Sequence, residues 1–156
     1  MLSADAPRIR TEVQVMFFDT DCGGVVSNIA YLRFIETART LLAEELGLAL
    51  ADMTETRRYP VVVRTEIDYR SAAKLGDRLV VEGWLDQLEN VRFCCAFRIV
   101  RPNDDVLIAE CRQTLALIEM PAGKLLRLPE DWEKYRKPEA NTRLRAPIIG
   151  RARRIA

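Results

Sequence analysis

From Ile9 to Phe18 the chain sets Val13, Val15 and Phe17 against Glu12, Gln14 and Met16. A period of two with one apolar side predicts a strand with one buried face. Gly23-Gly24 breaks the pattern, since glycine reaches the positive φ of a sharp turn at little cost. The apolar period then lengthens to three and four. Tyr31, Phe34, Ile35, Ala38, Leu41, Leu42 and Leu46 fall on one face of a predicted helix. Ser27 or Asn28 can cap its start, and Gly47 marks its stop. Leu48 to Arg58 reads as a short connection with one helical turn.

Four more strand-like runs follow. Tyr59 to Arg70 contains Val61, Val63, Thr65, Ile67 and Tyr69 in alternation. After the turn signal Lys74-Leu75-Gly76-Asp77, Arg78 to Leu88 is rich in β-formers. Val91, Phe93, Cys95, Phe97 and Ile99 then give the cleanest period of two in the chain. A loop at Arg101–Asp105 precedes a last long strand, Val106 to Glu119, which ends before Pro121-Ala122-Gly123. Pro129, Glu130 and Asp131 in a first helical turn predict a short helix to about Lys137. The order predicts an α+β domain in which a curved five-stranded antiparallel sheet wraps one long helix. Residues 1–138 are expected to form that domain. Residues 139–156, with Arg143, Arg145, Arg151, Arg153 and Arg154, are expected to be a basic tail without a fixed partner. The leftover sheet edges are hidden most simply across a two-fold axis, so a homodimer or homotetramer is expected.

The totals narrow the function. A chain of 156 residues can bury a real core as one domain, and a net charge of +1 lends no support to nucleic-acid binding. No apolar run reaches the roughly 20 residues of a membrane span. Met1 to Arg10 lacks an apolar signal core, so a cytoplasmic protein is expected. Cys22, Cys94, Cys95 and Cys111 make no C-x-x-C pair, and adjacent Cys94 and Cys95 point to opposite faces of a strand. Free thiols fit a reducing compartment better than zinc or disulfides do. There is no histidine. That removes Ser-His and Cys-His nucleophiles, His-ligated metals and every histidine proton step. Carboxylates, hydroxyls, backbone dipoles and cations remain.

The chemistry concentrates between Phe17 and Tyr31, where Asp19 and Asp21 precede two glycines and the start of a helix. Two carboxylates there can build an Asx turn and cap the helix, and for Asp19 this structural reading leads. They can also supply a nucleophile or general base beside unpaired helix N–H groups. Cys22 is a weaker nucleophile candidate, lacking a histidine partner.

Phe18-Asp19-Thr20-Asp21-Cys22-Gly23-Gly24-Val25-Val26, followed by Tyr31-Leu32-Arg33-Phe34 and Glu36-Thr37-Ala38-Arg39, resembles the 4-hydroxybenzoyl-CoA thioesterase-like hotdog family. The likeness is greatest to the branch of bacterial acyl-CoA thioesterases that includes the Tol-Pal-associated enzymes. Tyr69-Arg70-Ser71-Ala72-Ala73-Lys74-Leu75-Gly76-Asp77 is similar to the family's second segment. The resemblance covers roughly residues 10 to 135. It implies a hotdog fold, active sites at a subunit interface, an acyl-CoA substrate, and neither metal nor organic cofactor.

It also implies that Asp21 is the catalytic carboxylate and that the Asn28 backbone N–H polarises the thioester carbonyl. The chain departs from the branch at Asn28, where a histidine is common. Asparagine exchanges hydrogen bonds but shuttles no proton near neutral pH. Gly24, Val25, Tyr31 and Tyr69 are the candidates to surround the thioester and acyl group. Phe17, Phe18, Tyr59 and Trp84 are candidate walls that core packing explains as readily. Coenzyme A phosphates need cations, for which Arg64, Arg70 and Lys74 are candidates, with Arg78 beside them. An acyl carrier protein as thiol donor, and a hotdog that binds acyl-CoA without turnover, are the two rival readings.

Overall fold

The computed structural model describes residues 2–136, so the expected basic tail at 139–156 lies outside the described residues. Strand β1 (Arg8–Gln14) leads through a 3-10 turn at Phe17–Asp19 to helix α1 (Asn28–Glu45). Helix α2 (Leu50–Thr56) precedes β2 (Arg58–Tyr69), β3 (Arg78–Leu88), β4 (Arg92–Arg101) and β5 (Val106–Glu119). A two-residue β6 (Lys124–Leu125) and a 3-10 turn at Glu130–Tyr135 follow. The long strands form one antiparallel sheet in the order β1-β3-β4-β5-β2, with β6 beside the end of β5. This is the expected five-stranded α+β architecture.

Burial follows chemistry. Phe93, Cys95, Phe97 and Ile99 of β4 face the helix, as do Cys111, Leu115 and Leu117 of β5. They meet Ala30, Phe34, Ile35, Ala38 and Leu42 of α1, which packs mainly against β1 and β3. The Trp132 indole closes the far end, donating to Leu46 O at 3.1 Å and meeting the Phe93 ring edge to face. Gly83 of β3 lies beneath Phe97, where an added Cβ would come within 2.8 Å of the ring. Gly83→Ala is therefore expected to destabilise the fold by about 1–3 kcal/mol, read as a lower urea midpoint with the slope unchanged.

The outer face of the sheet is polar. Arg10, Glu82, Arg98, Glu110 and Asp68 form one row across all five long strands. Arg98 pairs with Glu82, and Arg70 reaches Glu110 and Asp68 at 3.2 and 3.4 Å. Exposed pairs contribute little each. Their consequence is that this face needs no cover. Edge β1 carries Arg8, Arg10 and Glu12, which blunt it, whereas edge β2 carries Val61-Val62-Val63 with Val62 and Val63 exposed. Among the described residues β2 pairs only with β5.

Several expectations are corrected. The first strand ends at Gln14, and Phe17 and Phe18 are 81% and 70% exposed, because the chain turns into a 3-10 helix there. Leu41 also stays exposed, on the rim of the apolar face of α1. The connection after Gly47 is a seven-residue helix rather than one turn. The C-terminal helix is a 3-10 turn that stops at Tyr135. Trp84 is no wall of a groove on the helix side: it alternates with Gly83 onto the outer face, under the Arg8 guanidinium.

Candidate active site

The Asp19–Ser27 segment folds into a small closed loop. Asp21 N donates to Val25 O, Ser27 N donates to Asp19 O, and Thr20 and Val26 form an isolated bridge. Cys22, Gly23 and Gly24 make the tip, with Gly24 at φ +71. The Asp21 carboxylate is exposed and accepts from Gly23 N at 2.8 Å. The Asx turn is real. It occupies one carboxylate oxygen and leaves the other without a partner among the described residues.

Asp19 is different. It is 2% exposed, accepts from Met16 N at 2.8 Å and pairs with Arg33 at 2.7 Å. Its role is to hold the loop entrance. Asp19→Ala leaves the Met16 N–H and Arg33 without that partner and is expected to cost on the order of 2 kcal/mol, read as a lower urea midpoint.

At the other end of the loop, Ser27 caps α1, its Oγ accepting from Ala30 N at 3.3 Å. The Asn28 and Ile29 backbone N–H groups have no acceptor among the described residues. They carry the positive end of an 18-residue helix. An exposed carboxylate and unpaired helix N–H groups thus share one short loop.

A second segment is stitched to it. Val25 bridges Lys74, Val26 N donates to Ala73 O, and Ala73 N donates to the Tyr31 hydroxyl at 3.1 Å. The Tyr31 ring meets Tyr69 with centroids 5.5 Å apart. Burial raises the Tyr31 phenol above its usual range, so it stays a neutral hydroxyl. Asn28, Tyr31, Tyr69 and Arg70 line one open groove of about 330 Å³ with Val26 and Ser71.

The groove thus joins Asn28, Tyr31, Tyr69 and Arg70, and the loop that carries Asp21, Gly24 and Val25 is tied to its rim and to Lys74 through backbone hydrogen bonds, with Asp21 itself outside the groove's lining. Arg64 is not among them. It sits on the outer face of β2, five residues from Tyr69, and pairs with Glu66 at 2.7 Å. Arg70 is already paired with Asp68 and Glu110, whereas Lys74 has no ion pair among the described residues. Cys22 is exposed at the loop tip. Burial pushes the Cys111 thiol up to about 11 and the Cys95 thiol higher still, so neither is a nucleophile.

Sequence reading missed a polar network under α1. Arg39 Nη1 donates to Gln113 Oε1 at 2.8 Å, and Gln113 Nε2 donates to Thr65 Oγ1 at 3.2 Å. Its signal was a glutamine between Cys111 and Leu115 on the buried side of β5.

Comparison with known proteins bears on the family and the fold. The model of the Thioesterase-like superfamily matches residues 15–135. An acyl-CoA thioesterase, YbgC, of Haemophilus influenzae is 31% identical over 120 residues, 76% of this chain and 87% of that one. A 1,4-dihydroxy-2-naphthoyl-CoA hydrolase of Synechocystis is 29% identical, over 78% of this chain and 89% of its own. The crystal structure of a 1,4-dihydroxy-2-naphthoyl-CoA thioesterase from Synechocystis superposes with a TM-score of 0.73 at 28% identity. It covers 81% of this chain and 93% of that one.

Proposed function

This chain belongs to the Thioesterase-like superfamily, and on that premise we propose that it hydrolyses an acyl-CoA or aroyl-CoA thioester to the free acid and coenzyme A. The observation that carries the reading is the loop that joins the exposed Asp21 carboxylate to the unpaired Asn28 N–H.

The thioester carbonyl oxygen lies at the Asn28 N–H, where the helix terminus stabilises the charge that develops on attack. Asp21 serves in one of two ways. As general base it takes a proton from water while the water oxygen bonds to the carbonyl carbon. As nucleophile it forms a mixed anhydride that water then opens. In both routes the C–S bond breaks and coenzyme A leaves with the electron pair. A thiol of ordinary pKa about 8.5 departs as thiolate without help from an acid, which suits a chain with no histidine.

Tyr31 and Tyr69 flank the reacting group, with Gly24 and Val25 in the loop beside it. Lys74 and Arg70 stand nearest for the phosphates, and Arg64 is too far along β2 to join them in one subunit. The exposed β2 edge pairs with β2 of a second copy, which brings the two open grooves together in a homodimer. The likeness of the motif at Phe18–Val26 supports the Tol-Pal-associated branch as this chain's subgroup. None of the described helices is long and apolar enough to cross a membrane, and a cytoplasmic location fits that reading.

The test is free-thiol release from short, long and aromatic CoA thioesters. Turnover of at least one is expected. Binding without release from every member would overturn hydrolysis of CoA esters and leave a carrier-protein substrate or a binding role.

A further inference from the structure

Between the end of β2 at Tyr69 and the start of β3 at Arg78 the chain runs irregularly, and Arg70, Ser71 and Ala72 line the open groove. No sheet ladder holds this stretch. Arg70 N and Ser71 N donate to Ile108 O at one end, and Gly76 N donates to Val15 O at the other. Between those anchors the backbone leans on side chains and on the active-site loop. Ala73 N donates to the Tyr31 hydroxyl at 3.1 Å, and Lys74 N donates to Asp77 Oδ2 at 3.0 Å. The Ala72 carbonyl accepts from Arg101 Nη1 at 3.3 Å and has no other partner among the described residues. A backbone held this way takes its position from the side chains that meet its polar groups.

Arg101 is itself fixed. It closes β4, and its Nε and Nη2 grip the two oxygens of Asp104 at 2.9 and 2.8 Å. A forked pair of this kind sets the plane of the guanidinium. The remaining nitrogen, Nη1, then donates to Asp77 Oδ2 at 3.0 Å as well as to Ala72 O. One atom of the β4–β5 hairpin thus ties both ends of the Ala72–Asp77 stretch. The two side chains are only 21% and 24% exposed, so water screens their pair in part. From this stretch the contacts continue into the catalytic loop. Val26 N donates to Ala73 O at 2.9 Å, and Val25 bridges Lys74. Asp21 N donates to Val25 O at 3.0 Å, and Ser27, next to Val26, caps the helix that starts at Asn28.

Resting on the hydrolysis proposed at Asp21 and Asn28, we propose that Arg101 is a positioning residue for that reaction, acting from the β4–β5 hairpin through Ala72 and Asp77. It touches no reacting atom. It fixes the Ala73–Lys74 backbone, against which the loop between Asp21 and Asn28 and the Tyr31 hydroxyl are both set. Without the guanidinium, Ala72 O and Asp77 lose their tie to the hairpin, and the stretch can shift together with the loop stitched to it. The long Lys74 side chain absorbs a small backbone shift, so the effect falls on the reacting groups rather than on phosphate contact.

The experiment uses the full-length chain, a CoA thioester that it hydrolyses, and the variants Arg101→Met, Arg101→Lys and Asp77→Asn. Arg101→Met is expected to lower kcat by about 10- to 100-fold, the cost of a small misplacement, while KM changes less than ~3-fold. Arg101→Lys keeps one cationic donor for the same two oxygens and is expected to have a kcat at least ~5-fold above that of Arg101→Met. Asp77→Asn still accepts from Lys74 N and is expected to lower kcat in the same direction. Combined with Arg101→Met it is expected to add less than its own effect, because both remove one contact. Hydrogen exchange reads the clamp without turnover. In Arg101→Met the Ala73 and Val26 amides are expected to exchange at least ~10-fold faster, with Val81 of β3 unchanged. A kcat within ~3-fold of the unsubstituted chain overturns the inference, as does a lysine variant no better than the methionine one. So does a lower urea midpoint with kcat and both amides unchanged. Faster exchange at these amides in a chain that releases no thiol counts against hydrolysis alone. Thiol release with kcat and exchange unmoved by Arg101→Met counts against this inference alone.

Discussion

Replacing Val62 and Val63 together by lysine is expected to give a folded monomer whose thiol release falls at least ~100-fold. Both side chains are exposed in the single chain, at 39% and 51%, so their loss removes little packing. Substitutions at such positions usually change stability by about 0.5 kcal/mol or less. Lysine on an open edge repels a second edge and blocks strand pairing. The reacting groups sit in an exposed loop and an open groove, which one subunit does not close. Misplacement by about 1 Å in such a site costs on the order of 100-fold. Mass photometry or sedimentation reads the first effect and thiol release the second. A monomer with undiminished turnover would show that each chain works alone.

Asp21→Asn is expected to reduce kcat by ~10²–10⁴-fold while leaving the fold and ester binding in place. The substitution is near-isosteric, and the asparagine carbonyl can still accept from Gly23 N. What disappears is the negative charge and the second free oxygen, which are needed to take a proton from water or to attack the carbonyl. The contrast with Asp19 makes the assignment specific. Asp19 spends both oxygens on Met16 N and Arg33 and is buried, so its removal acts on stability. Asp21 spends one oxygen at the surface, so its removal is expected to act on rate rather than on stability.

The strands were legible where burial repeats with a strict period. β3 and β5 run over the same residues that alternation and turn signals marked, Arg78–Leu88 and Val106–Glu119. A helix cap at Ser27 or Asn28 and the stop at Gly47, φ +76, were legible from local chemistry alone, and the structure puts the cap on Ser27. Phe17 was misread because its alternation continues past Gln14 although the backbone has already turned. In β2 a bulge between Val62 and Arg64 changes the facing. Val62 opposes Leu115 on the helix side, and Val61 opposes Ala116 on the outer side, which no period of two reveals.

The site followed the same rule. The loop from Asp19 to Asn28 is contiguous, so its carboxylates, turn and helix start were all visible together. Its junction with Tyr69–Lys74 depends on the Val25–Lys74 bridge and on Tyr31 reaching Ala73 across 42 positions. The Arg39–Gln113–Thr65 network joins residues 74 and 48 positions apart, and only the folded sheet brings them together. Arg64, a candidate cation for the coenzyme A phosphates, shows how strand facing separates sequence neighbours: it lies on the outer face of β2, paired with Glu66, while Tyr69 faces the helix side.

The most direct measurement of the central claim is a crystal structure of the Asp21→Asn chain holding an uncleaved CoA thioester. The account expects the carbonyl oxygen about 2.7–3.1 Å from the Asn28 backbone nitrogen. The sulfur should lie on the side of Lys74, with the acyl group entering the groove between Tyr31 and Tyr69. An ester whose carbonyl lies away from that nitrogen, on the outer face beside Trp84 for instance, would contradict it.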